Sequence, residues 1–359
     1  MKTITVNASK TYDVTIGSGL LESSGEIIRK ALGRVCRTVI VSDDNVAPLY
    51  AQRVSDSLSQ AGFGDTLTYI IKHGEASKSA ENFVSLLNFL ADNTLTRSDC
   101  LIALGGGVVG DLTGFAASSY LRGIGFIQIP TSLLADVDSS VGGKTAINLN
   151  AGKNLAGAFY QPDAVICDTD TLATLKDEYF TDGCAEVIKY GMISDRPLLD
   201  LLATNDRESI VKNNELENVI GMCVSDKRDT VNADERDTGV RRMLNFGHTV
   251  GHAIEKLSDF SIPHGHAVAM GMRIVTDASV SLGICPTECK TILNRLLSSY
   301  GLDRRCEYSA EELYRVTLSD KKRMSDTIAI IVPCEVGRCE IKEIPVTEML
   351  AFIRAGLKK

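Results

Sequence analysis

Short apolar runs alternate with amphipathic stretches along the first half of the chain. The run "RTVIVSD" at 37–43 is β-branched and apolar and ends in polar residues, which predicts a buried strand. Runs of the same kind occupy 67–74, 99–107, 124–130 and 163–170. Between the runs, 46–61 and 79–92 carry apolar residues three and four positions apart, which predicts helices. This alternation predicts a largely parallel sheet covered by helices.

The pattern changes near residue 175. Most of the chain beyond this residue has helical periodicity, and only 327–344 resembles a β-hairpin, with its turn near Gly337. We therefore expect an α/β domain over 1–175 and a mostly α-helical domain over 176–359. A chain of 359 residues fits about two domains.

Composition narrows the class of protein. The chain is 44% hydrophobic and 23% charged, with a net charge of −8, which argues against nucleic acid or an anionic membrane as the main partner. No apolar run approaches the roughly 18 residues of a membrane span. The first residues lack the basic and apolar regions of a signal peptide, so we expect a cytoplasmic protein.

Ten cysteines occur, most of them within apolar runs, and we expect them to be buried, reduced side chains. The pairs Cys285/Cys289 and Cys334/Cys339 lack the paired C-x-x-C spacing of a structural zinc site.

A glycine run follows the predicted strand at 99–107. In "GGGVVGDLTG", Gly105, Gly107 and Gly110 have the G-x-G-x-x-G spacing that lets backbone amides approach a phosphate at the start of a helix. Glycines would serve a tight turn equally well, and 127–133 lacks the acidic residue of the dinucleotide fingerprint. Asp43, which ends an earlier strand, could contact a ribose instead.

The stretch "SSVGGKTAINLNAGKNLAGAFYQP" at 139–162 has a loop-like composition. It places Lys144 and Lys153 beside glycines and asparagines, including Asn148 and Asn154. Lysines in such a stretch of an acidic protein fit an anionic small molecule, although solvated surface lysines would give the same local pattern.

Four of the five histidines lie between residues 248 and 266. His248 and His252 are four residues apart on a helical pattern, so they face one side. They fit two ligands of one metal ion, or one ligand beside a catalytic base. His264 could supply a third nitrogen and Glu186 an oxygen, whereas His266 is ambiguous. Packing or capping histidines are the alternative.

These motifs, with "GCAEVIKYG" (183–191), "LNFGHTVGHAIE" (244–255) and "HGHAVAMGM" (264–272), resemble the 3-dehydroquinate synthase family of sugar-phosphate cyclases. The resemblance implies a Rossmann-like NAD domain, a helical second domain, a divalent metal (zinc or cobalt) and a homodimer. It places the metal ligands at Glu186, His248 and His264. It makes His252 a proton-transfer residue rather than a ligand, a choice that spacing alone left open.

The resemblance also implies two further sets of residues. Those that contact substrate are Arg122 (reaching the phosphate from a partner subunit), Asp138, Lys144, Lys153, Asn154, Lys189, Lys227, Arg241, Asn245 and Lys321. Those that contact NAD are Asp43, Asn45, Glu75, Lys78, Gly107, Asp111, Thr131, Ser132, Lys144 and Lys153, so the two lysines belong to both sets. His266 departs from the family pattern, because glutamate is usual there, and so does Asp237, one methylene shorter than the common glutamate.

The implied reaction converts 3-deoxy-D-arabino-heptulosonate 7-phosphate to 3-dehydroquinate and phosphate. It combines transient oxidation by NAD, phosphate elimination, re-reduction and intramolecular aldol closure. A related cyclase such as 2-deoxy-scyllo-inosose synthase, a metal-dependent polyol dehydrogenase and a non-catalytic binding module are the alternatives. The lysine-rich stretch and the complete set of implied catalytic groups favour the dehydroquinate reaction.

Overall fold

The computed structural model describes residues 1–212, 215–320 and 326–358. Their backbone separates into two compact units. The first comprises Met1–Lys176 and Cys223–Arg236, and the second Asp177–Met222 and Asp237–Lys359.

The first unit contains a seven-stranded sheet. Its strands are β1 (Lys2–Asn7), β2 (Thr11–Gly17), β3 (Thr38–Asp43), β4 (Thr66–Ile71), β5 (Cys100–Gly105), β6 (Gly125–Pro130) and β9 (Ala164–Asp168). They lie in the order β1-β2-β9-β6-β5-β3-β4. Only β1 pairs antiparallel, with β2, and the other pairs are parallel. The predicted parallel sheet is thus confirmed, and the leading strands β1 and β2 extend it.

Helices cover both faces of this sheet: α1 (Ser24–Leu32), α2 (Ala47–Gln60), α3 (Ala80–Asp92) and α4 (Gly107–Ser119). Strand β3 shows the alternation that this requires. Ile40 packs with Ile28 and Leu58 of α1 and α2, whereas Val39 and Val41 join the separate cluster of α3 and α4. Successive side chains of a strand point to opposite faces, so one continuous apolar run supplies both cores.

The stretch expected to be a loop, 139–162, is instead mostly an antiparallel hairpin of β7 (Lys144–Leu149) and β8 (Gly152–Phe159). Its glycines and asparagines gave a loop-like composition. However, Thr145, Ala146 and Ile147 are buried, and Ile147 belongs to the α3/α4 cluster. Packing of β7 on that cluster stabilises strands that composition did not predict.

The second unit is mostly helical. It contains α5 (Asp177–Ile193), α6 (Arg196–Thr204), α7 (Arg207–Lys212), α9 (His248–Leu257), α10 (His264–Ser281), α11 (Thr287–Ser299), α12 (Ala310–Asp320) and α13 (Met349–Leu357). Helix α8 (Leu216–Ala233) is grouped with the first unit from Cys223 onward. The predicted hairpin is confirmed as β10 (Thr327–Glu335) and β11 (Arg338–Pro345), with Gly337 at φ 78° in the turn.

The cysteines follow the expected pattern. None of the ten forms a disulfide, and seven of them are buried. None of the helices that the structure describes is long and apolar enough to cross a membrane.

Candidate functional site

Several of the residues expected to contact NAD lie at the carboxyl ends of the parallel strands. Strands β3 and β5 are neighbours, and β3 is followed by β4 on one side whereas β5 is followed by β6 on the other, so their connections leave in opposite directions. Ligands of open α/β sheets bind at such a switch point, outside the carboxyl ends of the strands. Asp43 ends β3, Gly107 follows β5, and Thr131 and Ser132 follow β6. The topology therefore explains why the glycine motif follows β5 and not the first strand of the sheet.

The glycines of that motif serve close approach rather than a left-handed turn. Gly105, Gly107 and Gly110 are not among the glycines with positive φ. A Cβ atom on Gly110 would lie 2.6 Å from Oε1 of Gln128, and one on Gly107 would lie 3.0 Å from Oγ of Ser139. Because α4 begins at Gly107, its first amides are available to an anion at a bare backbone surface.

A buried ion pair lies among the same residues. Nζ of Lys78, a side chain 5% exposed, lies 2.5 Å from Oδ2 of Asp111. Burial raises the pKa of Asp111, although the neighbouring Lys78 ammonium acts to lower it. Glu75 accepts a hydrogen bond from the side-chain amide of Asn148 at 2.7 Å. The ion pair connects α4 to the turn after β4, and the hydrogen bond connects the same turn to the hairpin.

Asp43 and Asn45 form a local turn. Oδ1 of Asp43 accepts hydrogen bonds from the backbone amides of Asn45 at 2.9 Å and Val46 at 3.0 Å. These bonds fix the carboxylate at the end of β3, while the Asn45 side chain is exposed.

Asp138 and Lys227 form a second ion pair, which is mostly buried. Asp138 lies in a single π-helical turn, Ala135–Ser139, and its Oδ1 is 2.9 Å from Nζ of Lys227 on α8. The same ammonium also donates to the backbone carbonyl of Asp138. Two residues 89 positions apart are thus brought together within the first unit.

The remaining candidate residues of the first unit lie at its surface or close to it. Lys144 begins β7 and is exposed, and Lys153 lies on β8 and is half-buried. Asn154 has a φ of 56°, and its backbone amide donates a hydrogen bond to Oδ1 of Asn148 at 3.0 Å. Arg122 is exposed and also has a positive φ, of 69°. An asparagine adopts this conformation readily, whereas arginine does so at a cost.

The second unit brings Glu186, His248 and His264 together. Oε1 of Glu186 lies 3.5 Å from Nε2 of His248 and 3.6 Å from Nε2 of His264. One ligand atom from each of the three residues lies within 4.8 Å of the other two. Glu186 is fully buried on α5, and it pairs with Lys189 one turn later, which is 1% exposed. Two imidazoles and one carboxylate with a further position open are the donor set of a catalytic zinc site.

Each of the two histidines has a partner for its other nitrogen. Nδ1 of His248 lies 3.1 Å from the carbonyl oxygen of Phe246, and Nδ1 of His264 lies 3.2 Å from Oε2 of Glu255. Burial lowers the pKa of His248 to about 3, so this ring is neutral. Burial alone would lower the pKa of His264, but hydrogen bonds to Glu186 and Glu255 raise it to about 10.

His252 and His266 differ from these ligands. His252 is exposed on α9, and its ring centre is 5.4 Å from that of His248 and 5.9 Å from that of His264. His266 donates its backbone amide to Oδ1 of Asp182 at 3.0 Å, and its Nδ1 lies 3.1 Å from the same oxygen. It belongs to neither ligand cluster found among the described residues.

Three candidates lie elsewhere in the second unit's sequence. Arg241 is 2% exposed in the 3-10 turn Val240–Asn245, and Asn245 ends that turn half-buried. Lys321 lies outside the described residues.

Sequence reasoning overlooked Glu255 and Asp182. Glu255 follows His248 by seven residues, which is two helical turns and therefore the same face of α9. This seven-residue spacing was the signal in the sequence that could have identified Glu255 as a neighbour of the metal ligands.

Comparisons with known proteins identify the family of the chain. The family model described as 3-dehydroquinate synthase N-terminal matches residues 68–182, and the one described as 3-dehydroquinate synthase C-terminal matches 183–323. A curated 3-dehydroquinate synthase from Clostridium kluyveri is 42% identical and covers 98% of each chain.

Two solved structures share the fold. A 2-deoxy-scyllo-inosose synthase, complexed with carbaglucose-6-phosphate, NAD+ and Co2+, has a TM-score of 0.86 and 24% identity over 99% of this chain and 100% of its own. A 2-epi-5-epi-valiolone synthase from Streptomyces hygroscopicus subsp. jinggangensis 5008, with NAD+ and Zn2+ bound, has a TM-score of 0.87 and 22% identity over 98% of each chain.

Proposed function

The chain belongs to the 3-dehydroquinate synthase family, and we propose that it converts 3-deoxy-D-arabino-heptulosonate 7-phosphate into 3-dehydroquinate and inorganic phosphate. One observation carries the proposal: the ligand atoms of Glu186, His248 and His264 converge in a chain that is 42% identical to a curated enzyme of this name.

Glu186, His248 and His264 would hold the metal, and their donor set fits zinc or cobalt. A divalent ion there would act as a Lewis acid on a substrate hydroxyl and ease the loss of its proton. Lys189 now neutralises Glu186. If Glu186 held a cation, the ammonium of Lys189 would be available to the substrate.

The carboxyl ends of β3, β5 and β6 would hold NAD. The cofactor would accept a hydride from the substrate and return it, so the overall reaction has no net redox change. The amides at the start of α4 suit the pyrophosphate, and the fixed carboxylate of Asp43 suits ribose hydroxyls. The lack of a side chain at Gly107 supports this placement of the cofactor, because a Cβ atom there would already lie 3.0 Å from Oγ of Ser139.

The charged residues divide between the two ends of the substrate. Arg122, Lys144 and Lys153 would hold the phosphate, and Arg241 and Lys321 the carboxylate, because guanidinium and ammonium groups bind these anions strongly. His252 would carry the proton at the reacting hydroxyl. Its exposure and its place one turn after His248 support this role.

The proposal includes a homodimer in which Arg122 acts on the substrate of the partner subunit. The exposed side chain and strained backbone of Arg122 support it. Mixing inactive Arg122→Ala and His252→Ala chains would restore activity through hybrid dimers.

A cytoplasmic location belongs to the same proposal, because sugar phosphates and NAD are charged metabolites, and cell fractionation tests it.

Phosphate release tests the reaction directly. The metal-loaded enzyme is given 3-deoxy-D-arabino-heptulosonate 7-phosphate with less NAD than substrate, and phosphate, NADH and product mass are followed. We expect many phosphates per NAD with no lasting NADH absorbance. No release by enzyme shown to bind both metal and NAD would reject this substrate.

The same assay separates the rival functions. A 2-deoxy-scyllo-inosose synthase would instead release phosphate from glucose 6-phosphate. A polyol dehydrogenase would accumulate one NADH per product and release no phosphate. The lower identity to the inosose synthase, 24% against 42% to the dehydroquinate synthase, favours the reaction proposed.

A further inference from the structure

His264 lies between two glutamates, one at each ring nitrogen. Its Nε2 is 3.6 Å from Oε1 of Glu186, and its Nδ1 is 3.2 Å from Oε2 of Glu255. Glu255 is 3% exposed on α9 and was assigned no role by the sequence. All three residues belong to the second unit.

A neutral imidazole carries one proton, and its position decides which nitrogen can bind a metal. To bind through Nε2, His264 must hold its proton on Nδ1, where the proton needs an acceptor. The carboxylate of Glu255 is that acceptor. His248 meets the same need with the carbonyl oxygen of Phe246, 3.1 Å from its Nδ1.

The two acceptors differ in charge. A backbone carbonyl only orients the ring, whereas a carboxylate also makes the opposite nitrogen a stronger donor. Glu255 is 3% exposed and its Oε2 lies 3.2 Å from Nδ1 of His264, a side chain 31% exposed, so its charge acts on the ring at short range. His264 should therefore be the ligand whose orientation and donor strength depend most on a neighbouring side chain.

We propose that Glu255 is a positioning residue that fixes the Nδ1-protonated tautomer of His264 and thereby strengthens metal binding at Glu186, His248 and His264. The inference rests on the proposed metal-dependent function. It assigns Glu255 an effect through His264, with no contact to the substrate.

One competing arrangement involves the same carboxylate. Ligand atoms of His252, Glu255 and His264 also lie within 4.8 Å of one another, which would suit a second ion. Such an ion would take the lone pair of Nδ1 and leave the proton on Nε2, so it would remove His264 from the first ligand set. The two arrangements predict opposite tautomers and different numbers of bound ions.

The test uses full-length Glu255→Gln and Glu255→Ala, with Asp277→Asn as the matched control. Asp277 is another mostly buried carboxylate of the second unit, on the same helix as His264, but it pairs with Lys290 at 3.2 Å outside both ligand groups. Zinc affinity is measured by competition with a chelator, bound zinc by elemental analysis, and the His264 tautomer by nitrogen NMR of the zinc-loaded protein.

We expect zinc affinity to fall about 10–100-fold in Glu255→Ala. The loss should be smaller in Glu255→Gln, because the amide oxygen can accept the same hydrogen bond but lacks the charge. The control should bind as the wild type does, and NAD affinity should be unchanged in all variants. One zinc per chain and a proton on Nδ1 are expected in the wild type.

Three results would overturn the inference. Unchanged zinc affinity in Glu255→Ala would show that the carboxylate does not matter. Two zinc ions in the wild type, falling to one in Glu255→Gln, would make Glu255 a ligand. An equal loss in Asp277→Asn would indicate a general effect of buried charge. A wild type that binds no zinc would instead overturn the metal part of the proposed function.

Discussion

Nε2 of His248 lies 3.5 Å from Oε1 of Glu186, although 62 positions separate the two residues in the sequence. Replacing His248 with Ala removes one of the three converging donors. We expect bound zinc and activity to be lost together, measured by elemental analysis and phosphate release. Full zinc occupancy in His248→Ala would contradict the ligand assignment.

His252 should behave differently from its neighbour one turn earlier. It is exposed, and we assign it to proton transfer, so His252→Ala should keep zinc bound. The expected loss is about 10²–10⁴-fold in kcat with little change in KM. If zinc is lost in His252→Ala as in His248→Ala, His252 is a ligand instead.

The pair of Asp138 and Lys227 should act as a unit. Lys227→Met would remove the cation that faces the Asp138 carboxylate, and Asp138→Asn would remove the negative charge that faces a mostly buried ammonium. We expect the double variant to lose less stability than the two single losses combined, with a coupling energy of about 0.5–3 kcal/mol. Urea unfolding of the four proteins measures it, and additive losses would contradict the pairing.

NAD affinity should depend on the bare backbone at Gly107. In Gly107→Ala the new methyl group would lie 3.0 Å from Oγ of Ser139, which can give way, so stability should change little. The same methyl group would stand where the cofactor approaches, so we expect Kd for NAD to rise, measured by fluorescence titration. Gly64→Ala, before the start of β4, is the control, because Gly64 has no positive φ and a Cβ atom there would have no atom within 4 Å. Unchanged NAD affinity in Gly107→Ala would place the cofactor elsewhere.

Asp136 should make stability depend on pH. It is fully buried, and burial raises its pKa well above the ordinary 3.8, while Cys167 acts to lower it and Asp168 to raise it. A carboxyl whose pKa is raised by folding contributes stability below the unfolded value, and this contribution is lost as pH rises toward the folded value. Asp136→Asn stays neutral, so its Tm should rise relative to that of the wild type as pH increases above about 4.

The exposed Asp92→Asn is the matched control for that comparison. It removes one surface carboxyl, so its Tm across the same range shows what the loss of an exposed negative charge does by itself. A Tm difference between Asp136→Asn and the wild type that does not vary with pH would mean that burial does not raise the pKa of this carboxyl.

Much of the first unit could be predicted from the sequence. Period-two and continuous apolar runs gave β3, β4, β5, β6 and β9 close to their observed bounds, because strand geometry is local and each run carries its own signal. The hairpin of β7 and β8 was missed for the opposite reason. Its strands are rich in glycine and asparagine, and their stability comes from packing of residues such as Ile147 on a core formed by distant elements.

The amino-acid sequence supplies the chemical groups: four clustered histidines, a glycine motif and lysines in an acidic chain. How these groups are combined depends on the folded structure. Packing of α5, α9 and α10 selected Glu186, His248 and His264 as one converging group and gave His264 its second carboxylate, Glu255. Periodicity records which face of an element a residue occupies, whereas a ligand set depends on which faces meet, and that is a property of the whole fold.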